Sequence, residues 1–207
     1  MKNKKENIYQ KNFFTKIGES VNQQYTGIYI HVPFCKSKCP YCNFYSTTNL
    51  IQKNEYINAL LKEIELKSEH KKAIDTLYFG GGTPSILKIE DFQTIMASIR
   101  KNFNLMDGAE ITVEVNPGKN CENYNTDYNY EIENVNYDIL KNYFKYILEL
   151  GINRISVGVQ SFLNEKLKFL KRIHSVTDAE TTLISARDAG FSNIGIDLIF
   201  GFPGETM

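Results

Sequence analysis

The chain has no excess of charge of either sign and no long apolar run. Its 207 residues carry 24 basic and 24 acidic side chains, so no net field attracts nucleic acid or an anionic membrane surface. No apolar stretch approaches the roughly 20 residues that a transmembrane helix requires. These absences argue against nucleic-acid binding and membrane spanning, and the length is sufficient for one sizeable core.

Targeting signals are also lacking at the start of the chain. Residues 1–24 are polar and lysine-rich, contain no arginine, and include Glu6 and Glu19 rather than a secretory apolar segment. We expect a disordered leader over 1–24 and one domain over 25–207. Within that domain, residues 119–137 hold six Asn and four Tyr without helical or strand periodicity, which favours a low-complexity surface insertion.

Cysteine is scarce, but three of the four cysteines lie within eight positions. Cys35, Cys39 and Cys42 have the spacing C-x3-C-x2-C and follow the apolar run 27–32. Three thiolates on one short loop suit an iron–sulfur cluster. A cubane has four irons, so three ligands leave one iron for a group that is not protein. Such an open iron is typical of enzymes that cleave S-adenosylmethionine (SAM) to a radical.

Other uses of these cysteines are weighed against the cluster. Structural zinc normally takes four protein ligands, and the fourth cysteine, Cys121, has no second ligand beside it. A disulfide framework is disfavoured because the chain has no secretory signal and no long cysteine array. A cluster-only electron carrier would need Cys121 as its fourth ligand. We expect Cys121 to be incidental.

Apolar, β-branched runs alternate with segments of helical spacing along the chain. This alternation predicts βαβ units and a parallel sheet covered by helices. The predicted strands lie at 27–32, 74–79, 110–115, 154–159 and 193–200, and the predicted helices at 54–66, 92–103, 140–148 and 177–189. We expect Gly151 and Gly190 to end two of these helices.

Every motif with chemical potential follows a predicted strand. The cysteine loop follows the first strand, Gly-Gly-Gly-Thr-Pro (80–84) the second, Glu114 closes the third, Gln160 follows the fourth and Gly-Phe-Pro-Gly (201–204) the fifth. Reactive groups collect at the carboxyl ends of parallel strands. The sequence therefore predicts one shared site at that edge of the sheet.

The individual motifs each have a functional and a structural interpretation. The glycines at 80–82 allow backbone to approach a ligand, or they form a tight turn in which Pro84 and Ser85 start the next element. No Gly-Lys-Ser/Thr follows them, so they are not a phosphate-binding P-loop. Arg172 is either a bidentate partner of a carboxylate or a solvated charge at a helix end.

The polar residues at the strand ends are likewise open to two interpretations. Glu114 is either a partner of a ribose or ammonium group, or a helix cap or paired structural group. Gln160 and Asp197 emerge from strands predicted to be buried, so each needs a hydrogen-bond partner. We predict no histidine metal ligand.

Taken together, the motifs resemble the oxygen-independent coproporphyrinogen III oxidase family of radical SAM proteins, and especially its HemW-type haem-chaperone branch. The resemblance covers about residues 27–207. It is carried by YIHVPFC (29–35), CPYCNFYS (39–46), FGGGTPS (79–85), EVNPG (114–118), NRISVGVQSF (153–162), LKRIHS (170–175) and IDLIFGFPGET (196–206).

The resemblance implies a partial (βα)6 radical SAM barrel with five parallel strands and a set of site residues. Its cluster ligands would be Cys35, Cys39 and Cys42. The contacts to the cluster-bound SAM would be Tyr29, Gly81 and Glu114. The positions that contact a second SAM in the oxidising branch are Tyr41, Gly82, Thr83, Gln160, Arg172 and Asp197. Asn43-Phe44 follows Cys42 where the oxidases commonly carry a further cysteine, and this departure resembles the chaperone branch.

The resemblance also implies cofactors, partners and a location. A [4Fe-4S] cluster would reduce SAM to methionine and a 5′-deoxyadenosyl radical. In the oxidase branch that radical starts the decarboxylation of a porphyrinogen propionate, whereas the chaperone branch binds haem and passes it to an acceptor protein. An electron-donor protein is a further implied partner. An oxygen-labile cluster implies a reducing compartment, and we expect the cytoplasm, with organellar targeting left open.

Length is the main departure from the family pattern. Family members continue past the fifth strand through a sixth barrel unit and a C-terminal domain, whereas this sequence stops at Met207. We therefore expect a fragment, a truncated gene product or a chain that needs a partner. The resemblance leaves open whether the chain is catalytic, and we expect an exposed edge at strand five.

Overall fold

The computed structural model describes residues 25–69, 72–118 and 137–203. Short 3-10 turns occupy Leu50–Gln52 and Pro84–Ile86. The strands and α-helices of the described residues are β1 (Thr26–Val32), α1 (Lys53–Leu66), β2 (Ala73–Gly81), α2 (Ile89–Asn102), β3 (Asn104–Val115), α3 (Tyr137–Glu149), β4 (Arg154–Gln160), α4 (Asn164–Phe169), α5 (Val176–Ala189) and β5 (Asn193–Leu198). The predicted leader, residues 119–136 of the predicted insertion and Cys121 lie outside the described residues.

All five strands belong to one parallel sheet. The strand order is β1-β2-β3-β4-β5, and each strand pairs in parallel with the next. Because helical crossovers between parallel strands are right-handed, an order that never reverses places the connecting helices on the same face. The predicted α/β architecture with five parallel strands is confirmed, and the carboxyl ends of all five strands meet at one edge.

The face of the sheet toward the helices forms the core. Ile30 and Val32 of β1 and Leu77 and Phe79 of β2 alternate along their strands and are buried. Phe79 packs edge-to-face on Phe92 of α2, with ring centroids 5.4 Å apart. Burying such a ring contributes about 1.5–3 kcal/mol relative to leaving it exposed. The core therefore gives the carboxyl edge of the sheet a rigid base.

Local sequence determines where the helices near this edge begin and end. The Ser175 hydroxyl accepts from the Asp178 amide at 3.2 Å, and the Asp178 carboxylate accepts from the Ser175 amide at 2.7 Å. This reciprocal pair caps the start of α5. Gly190 ends α5 with φ 113°, and Gly151, with φ 94°, follows α3. Both glycine stops confirm the prediction.

Several element boundaries differ from the predictions, and one helix was not predicted. β3 begins at Asn104, six residues before the predicted start, because Asn104 and Leu105 pair with the start of β2 ahead of a register shift. Helix α4 was not predicted, since six residues are too few to show a periodicity. β5 ends at Leu198, which is 55% exposed. No helix among the described residues is long and apolar enough to cross a bilayer.

Candidate functional site

The three clustered cysteines lie on a loop that is closed by backbone hydrogen bonds at its base. This cysteine loop (residues 33–48) leaves the carboxyl end of β1. The Cys35 amide donates to the Thr47 carbonyl at 2.9 Å, and the Thr47 amide donates to the Pro33 carbonyl at 2.7 Å. Cys35, Cys39 and Cys42 are free thiols of intermediate exposure. The closed base therefore presents three thiols on one short segment.

His31 fastens the far side of the cysteine loop to β1. Its Nε2 lies 2.9 Å from the Tyr45 carbonyl and its Nδ1 lies 3.3 Å from the Tyr29 hydroxyl. A carbonyl only accepts, so Nε2 carries a proton and donates to Tyr45. The Tyr56 hydroxyl donates to the His31 carbonyl at 2.7 Å. The cysteine loop is thus held at its base and again near Tyr45.

The glycine segment after β2 packs directly against the cysteine loop. The Gly82 amide donates to the Val32 carbonyl at 2.7 Å. A Cβ at Gly82 would lie 2.7 Å from the Phe34 carbonyl oxygen and 3.0 Å from the Cys35 sulfur. Only glycine permits this approach. Pro84 and Ser85 start the following 3-10 turn as predicted, so the segment is both a tight turn and a close backbone approach.

Glu114 lies at the centre of the edge, near the end of β3. Its Oε1 accepts from the Tyr78 hydroxyl at 2.9 Å and its Oε2 accepts from the Gly81 amide at 3.0 Å. Burial raises the pKa of the Glu114 carboxyl, while these two hydrogen bonds lower it and the nearby Asp197 charge raises it. The carboxyl is therefore paired within the protein and still has free lone pairs.

Arg172 points into the site rather than into solvent. Its Nη2 donates to the Asn116 side-chain oxygen at 2.7 Å and to the Gly158 carbonyl at 3.0 Å. Its Nη1 lies 3.6 Å from the Cys39 sulfur and 3.4 Å from the Tyr41 hydroxyl. The interpretation of Arg172 as a solvated helix-end charge is wrong. Its buried Nε has no hydrogen-bond partner among the described residues.

Tyr41 lies on the cysteine loop beside this guanidinium. Burial raises the pKa of the Tyr41 hydroxyl, and the positive charge of Arg172 opposes that rise. The hydroxyl therefore stays protonated and neutral between Arg172 and the Cys39 sulfur. Through Arg172, which also donates to the Gly158 carbonyl of β4, Tyr41 connects the middle of the cysteine loop to this strand.

Gln160 and Asp197 complete the edge on its far side. Gln160 has φ 67°, an uncommon backbone conformation for a residue that is not glycine, and its carbonyl accepts from the Ile199 amide at 2.9 Å. The Ser156 hydroxyl lies 3.2 Å and 3.4 Å from the two Asp197 carboxylate oxygens. The prediction that Asp197 emerges from a buried strand is wrong, because the strand is at the exposed end of the described sheet.

One cavity at the carboxyl edge brings almost all of the predicted site residues together. The exception is Tyr29, which lies on β1 and stacks on Tyr78 with ring centroids 5.9 Å apart. Tyr78 in turn donates to Glu114, so Tyr29 is connected to a residue of the cavity through the Tyr78 side chain. The predicted residues that line the cavity are Cys35, Cys39, Tyr41, Cys42, Gly81, Gly82, Thr83, Glu114, Gln160, Arg172 and Asp197.

The donor set and the packing fit a cubane cluster. The three thiols face one cavity, and Gly82 makes room for the Cys35 sulfur. Among the described residues, no three His, Cys, Asp or Glu side chains converge as ligands of a single metal ion. A cubane does not require that convergence, because each thiolate binds a different iron.

Comparison with known proteins assigns the chain to a family. The profile of the radical SAM superfamily matches residues 29–207. The chain belongs to the radical SAM superfamily, and this membership implies an iron–sulfur cluster and SAM. The superfamily membership that the cysteine spacing predicted is confirmed.

Several curated proteins are similar in sequence to this chain. Similar curated proteins include the haem chaperone HemW of Buchnera aphidicola subsp. Schizaphis graminum, 35% identical over 184 residues, and that of Escherichia coli, 33% identical over 184 residues. Each covers 87% of this chain, and the chain spans 44% of each relative.

Among solved structures, coproporphyrinogen III oxidase (HemN) from Escherichia coli, a radical SAM enzyme, superposes with a TM-score of 0.71 at 28% identity. That match covers 93% of this chain and 42% of the other.

Several cavity residues were not predicted from the sequence. Asn116 and Ser156 line the cavity, and Tyr78 and His31 organise it from below. The signal for Tyr78 and Ser156 is their place on the strand face that carries Glu114, because Glu114 is directly opposite Ser156 in the register. The signal for Asn116 is its position two residues after Glu114, just beyond the strand.

His174 lies beneath the cavity without lining it. The ring is 5% exposed, and its Nε2 donates to the Val159 carbonyl at 3.1 Å. Burial and the nearby positive charge of Arg172 lower the pKa of His174 to about 4. His174 is therefore a neutral structural residue at physiological pH.

Proposed function

We propose that this chain is a radical SAM iron–sulfur protein of haem metabolism that binds haem and delivers it to an acceptor protein. The carrying observation is the single cavity that combines the three thiols of the C-x3-C-x2-C loop with the polar groups of four strand ends. The HemW names of similar proteins support haem as the cargo. The Asn43-Phe44 pair after Cys42 supports the same branch.

In this proposal Cys35, Cys39 and Cys42 hold three irons of a [4Fe-4S] cluster and leave the fourth for SAM. When bound, the cluster supplies the electron that splits SAM into methionine and a 5′-deoxyadenosyl radical. The protein keeps the three sulfurs in place through the closed base of the loop. The hydrogen bond from His31 Nε2 to the Tyr45 carbonyl holds the later part of the cysteine loop against β1.

The SAM contacts follow from the chemistry of the edge. The Glu114 carboxylate has lone pairs left for an ammonium or ribose group after accepting from Tyr78 and Gly81. The Nε–H of Arg172 is a buried donor that has no hydrogen-bond partner in the part of the chain that the structure describes, which suits a carboxylate. The remaining proposed contacts to SAM molecules are Tyr29, Tyr41, Gly81, Gly82, Thr83, Gln160 and Asp197.

A second candidate function is oxidation of coproporphyrinogen III. The likeness to the HemN structure favours it, with a TM-score of 0.71. Both functions use the same cluster and SAM site and differ in what happens to the porphyrin. Haem delivery leaves the porphyrin unchanged, whereas oxidation of a coproporphyrinogen would decarboxylate a propionate side chain.

The test compares haem uptake with turnover on anaerobically reconstituted protein. We expect stoichiometric haem binding by absorbance titration, transfer to an apo haem protein, and no SAM-dependent porphyrin product. A Cys35→Ser variant is the control that removes a cluster ligand. Protoporphyrinogen formation would move the assignment to the oxidase, and a loaded chain that binds no haem and forms no product would contradict both.

Partners and location follow from this proposal. The cluster needs an electron-donor protein, and delivery needs a haem-acceptor protein. An oxygen-labile cluster held by free thiols suits a reducing compartment, so we propose the cytoplasm as the location. We also propose that residues 25–207 form the radical SAM core, preceded by the leader over 1–24 and interrupted by the insertion at 119–137.

A further inference from the structure

Asn116 lies directly after β3 and bridges two residues of the cavity. Its Nδ2 donates to the Thr83 hydroxyl at 2.8 Å, and its Oδ1 accepts from Arg172 Nη2 at 2.7 Å. A guanidinium has only donors, so the amide oxygen must face Arg172 and the amide nitrogen must face Thr83. The chemistry of the partners therefore fixes the orientation of the Asn116 side chain.

Each partner of Asn116 directs a donor at a different cysteine sulfur. The Thr83 hydroxyl accepts from Asn116, so its one proton is available to the Cys35 sulfur at 3.5 Å. Arg172 Nη1 lies 3.6 Å from the Cys39 sulfur. One amide thus connects the donors that face two of the three proposed ligands.

The surroundings of Asn116 are shaped for this bridge. A Cβ at Gly158 would lie 2.9 Å from the Asn116 amide oxygen, so glycine makes room for the amide beside Arg172. Thr83 is 4% exposed, and a buried hydroxyl without these partners would be costly. The bridge is therefore a packed part of the site.

Hydrogen bonds to the sulfurs of an iron–sulfur cluster favour its reduced form, because reduction adds negative charge. We propose that Asn116 is a positioning residue that raises the reduction potential of the cluster by holding one donor against each of two ligand sulfurs. The inference rests on the proposed function, since it requires a cluster on the cysteine loop. It assigns Asn116 no contact with the irons.

The test is a redox titration of the reconstituted protein, followed by electron paramagnetic resonance. We expect Asn116→Ala to lower the midpoint potential of the cluster. A tenfold decrease in the equilibrium constant for one-electron reduction corresponds to a decrease of about 59 mV in that potential. Asn116→Asp keeps the shape but replaces the donor to Thr83 by an acceptor, which draws the Thr83 proton away from Cys35. It should lower the potential as well.

The control is Asn102→Ala, which removes the same side chain from α2, where it donates to the Ser98 carbonyl at 2.9 Å. Its potential should equal that of the wild type. An unchanged potential in cluster-loaded Asn116→Ala would overturn the inference and leave the proposed function intact. A wild-type chain that takes up no cluster would contradict the proposed function itself.

A second pair of variants covers loss of the cluster in Asn116→Ala. Thr83→Val keeps the volume and removes the hydroxyl, and with it both the donor to Cys35 and the acceptor of the Asn116 amide, whereas Thr83→Ser restores a hydroxyl. We expect a lowered potential in the first and a potential near that of the wild type in the second. Equal potentials in both, or loss of the cluster in both, would overturn the inference.

Discussion

The Tyr78 hydroxyl donates to Oε1 of Glu114 at 2.9 Å, which links β2 to the carboxyl at the centre of the site. Burial raises the pKa of Glu114, and the hydrogen bonds from Tyr78 and the Gly81 amide limit that rise. The charge state of Glu114 therefore depends on a tyrosine that the cavity does not expose directly. If Glu114 contacts SAM as proposed, SAM binding should therefore depend on pH.

Tyr78→Phe is expected to weaken SAM binding increasingly as the pH is lowered. Without the hydroxyl, the pKa of Glu114 rises further, so the carboxylate that we propose to contact SAM is protonated at a higher pH as the pH falls. One hydrogen bond of about 1 kcal/mol corresponds to a roughly fivefold loss of affinity. Calorimetric titration of the reconstituted protein with SAM at several pH values measures the effect.

The control for this variant is Tyr146→Phe on α3, which removes the same hydroxyl from a side chain that is 46% exposed. Its affinity for SAM should match that of the wild type throughout. An affinity of Tyr78→Phe that equals the wild type at every pH would show that the Tyr78 contact does not act on SAM binding.

Gly82→Ala is expected to reduce cluster loading. The added Cβ would lie 2.7 Å from the Phe34 carbonyl oxygen, a backbone atom that cannot move without shifting the cysteine loop. Gly195→Ala is the matched control, because its Cβ would lie no closer than 3.4 Å to any neighbour. Iron and sulfide analysis should give a several-fold lower content in Gly82→Ala alone, and equal contents would refute the close-approach role.

His31→Phe is expected to loosen the cysteine loop. The variant removes the donor to the Tyr45 carbonyl, and a lost hydrogen bond costs about 0.5–1.5 kcal/mol. Bleaching of the cluster by a chelator should accelerate about 2- to 10-fold. His31→Gln keeps a donor nitrogen and should be slower to bleach than His31→Phe; identical rates in the two variants would speak against the hydrogen bond.

His174 makes the stability of the chain depend on pH. Its pKa is about 4 in the folded chain against an ordinary value of 6.5, so the unfolded chain takes up this proton first as the pH falls. The contribution of neutral His174 to the free energy of unfolding is therefore complete above pH 6.5. It is lost as the pH falls from 6.5 to 4, and the loss amounts to at most about 3 kcal/mol.

Urea unfolding of the apo chain at pH 7, 5.5 and 4.5 measures this loss. His174→Gln keeps a donor for the Val159 carbonyl but does not titrate, so its stability should fall less over the same range. Parallel curves for the two proteins would contradict a buried neutral histidine.

Much of the fold could be predicted because apolar runs and helical spacing alternate regularly. The glycines that end α3 and α5 could also be predicted, because each follows a segment of helical spacing. Their φ values of 94° and 113° are ones that favour glycine. The early start of β3 was missed because its first two pairs are separated from the rest by a register shift. Periodicity does not report such interruptions.

The sequence motifs predicted which residues form the site, but they could not predict the contacts between them. The spacing of Cys35, Cys39 and Cys42 indicated an iron–sulfur cluster, and the position of the motifs after predicted strands indicated the carboxyl edge of the sheet. Asn116 was missed because an asparagine after a strand is ordinary in sequence, and its role appears only when Thr83 and Arg172 meet across it. The direction of Arg172 depends equally on tertiary packing.

The most direct test of the central claim is electron paramagnetic resonance of the anaerobically reconstituted and reduced protein, with and without SAM. We expect four irons per chain, a spectrum that SAM changes, and the same behaviour in Cys121→Ala. Bound zinc, a spectrum indifferent to SAM, or loss of the cluster in Cys121→Ala would contradict a cluster held by three cysteines with one iron open to SAM.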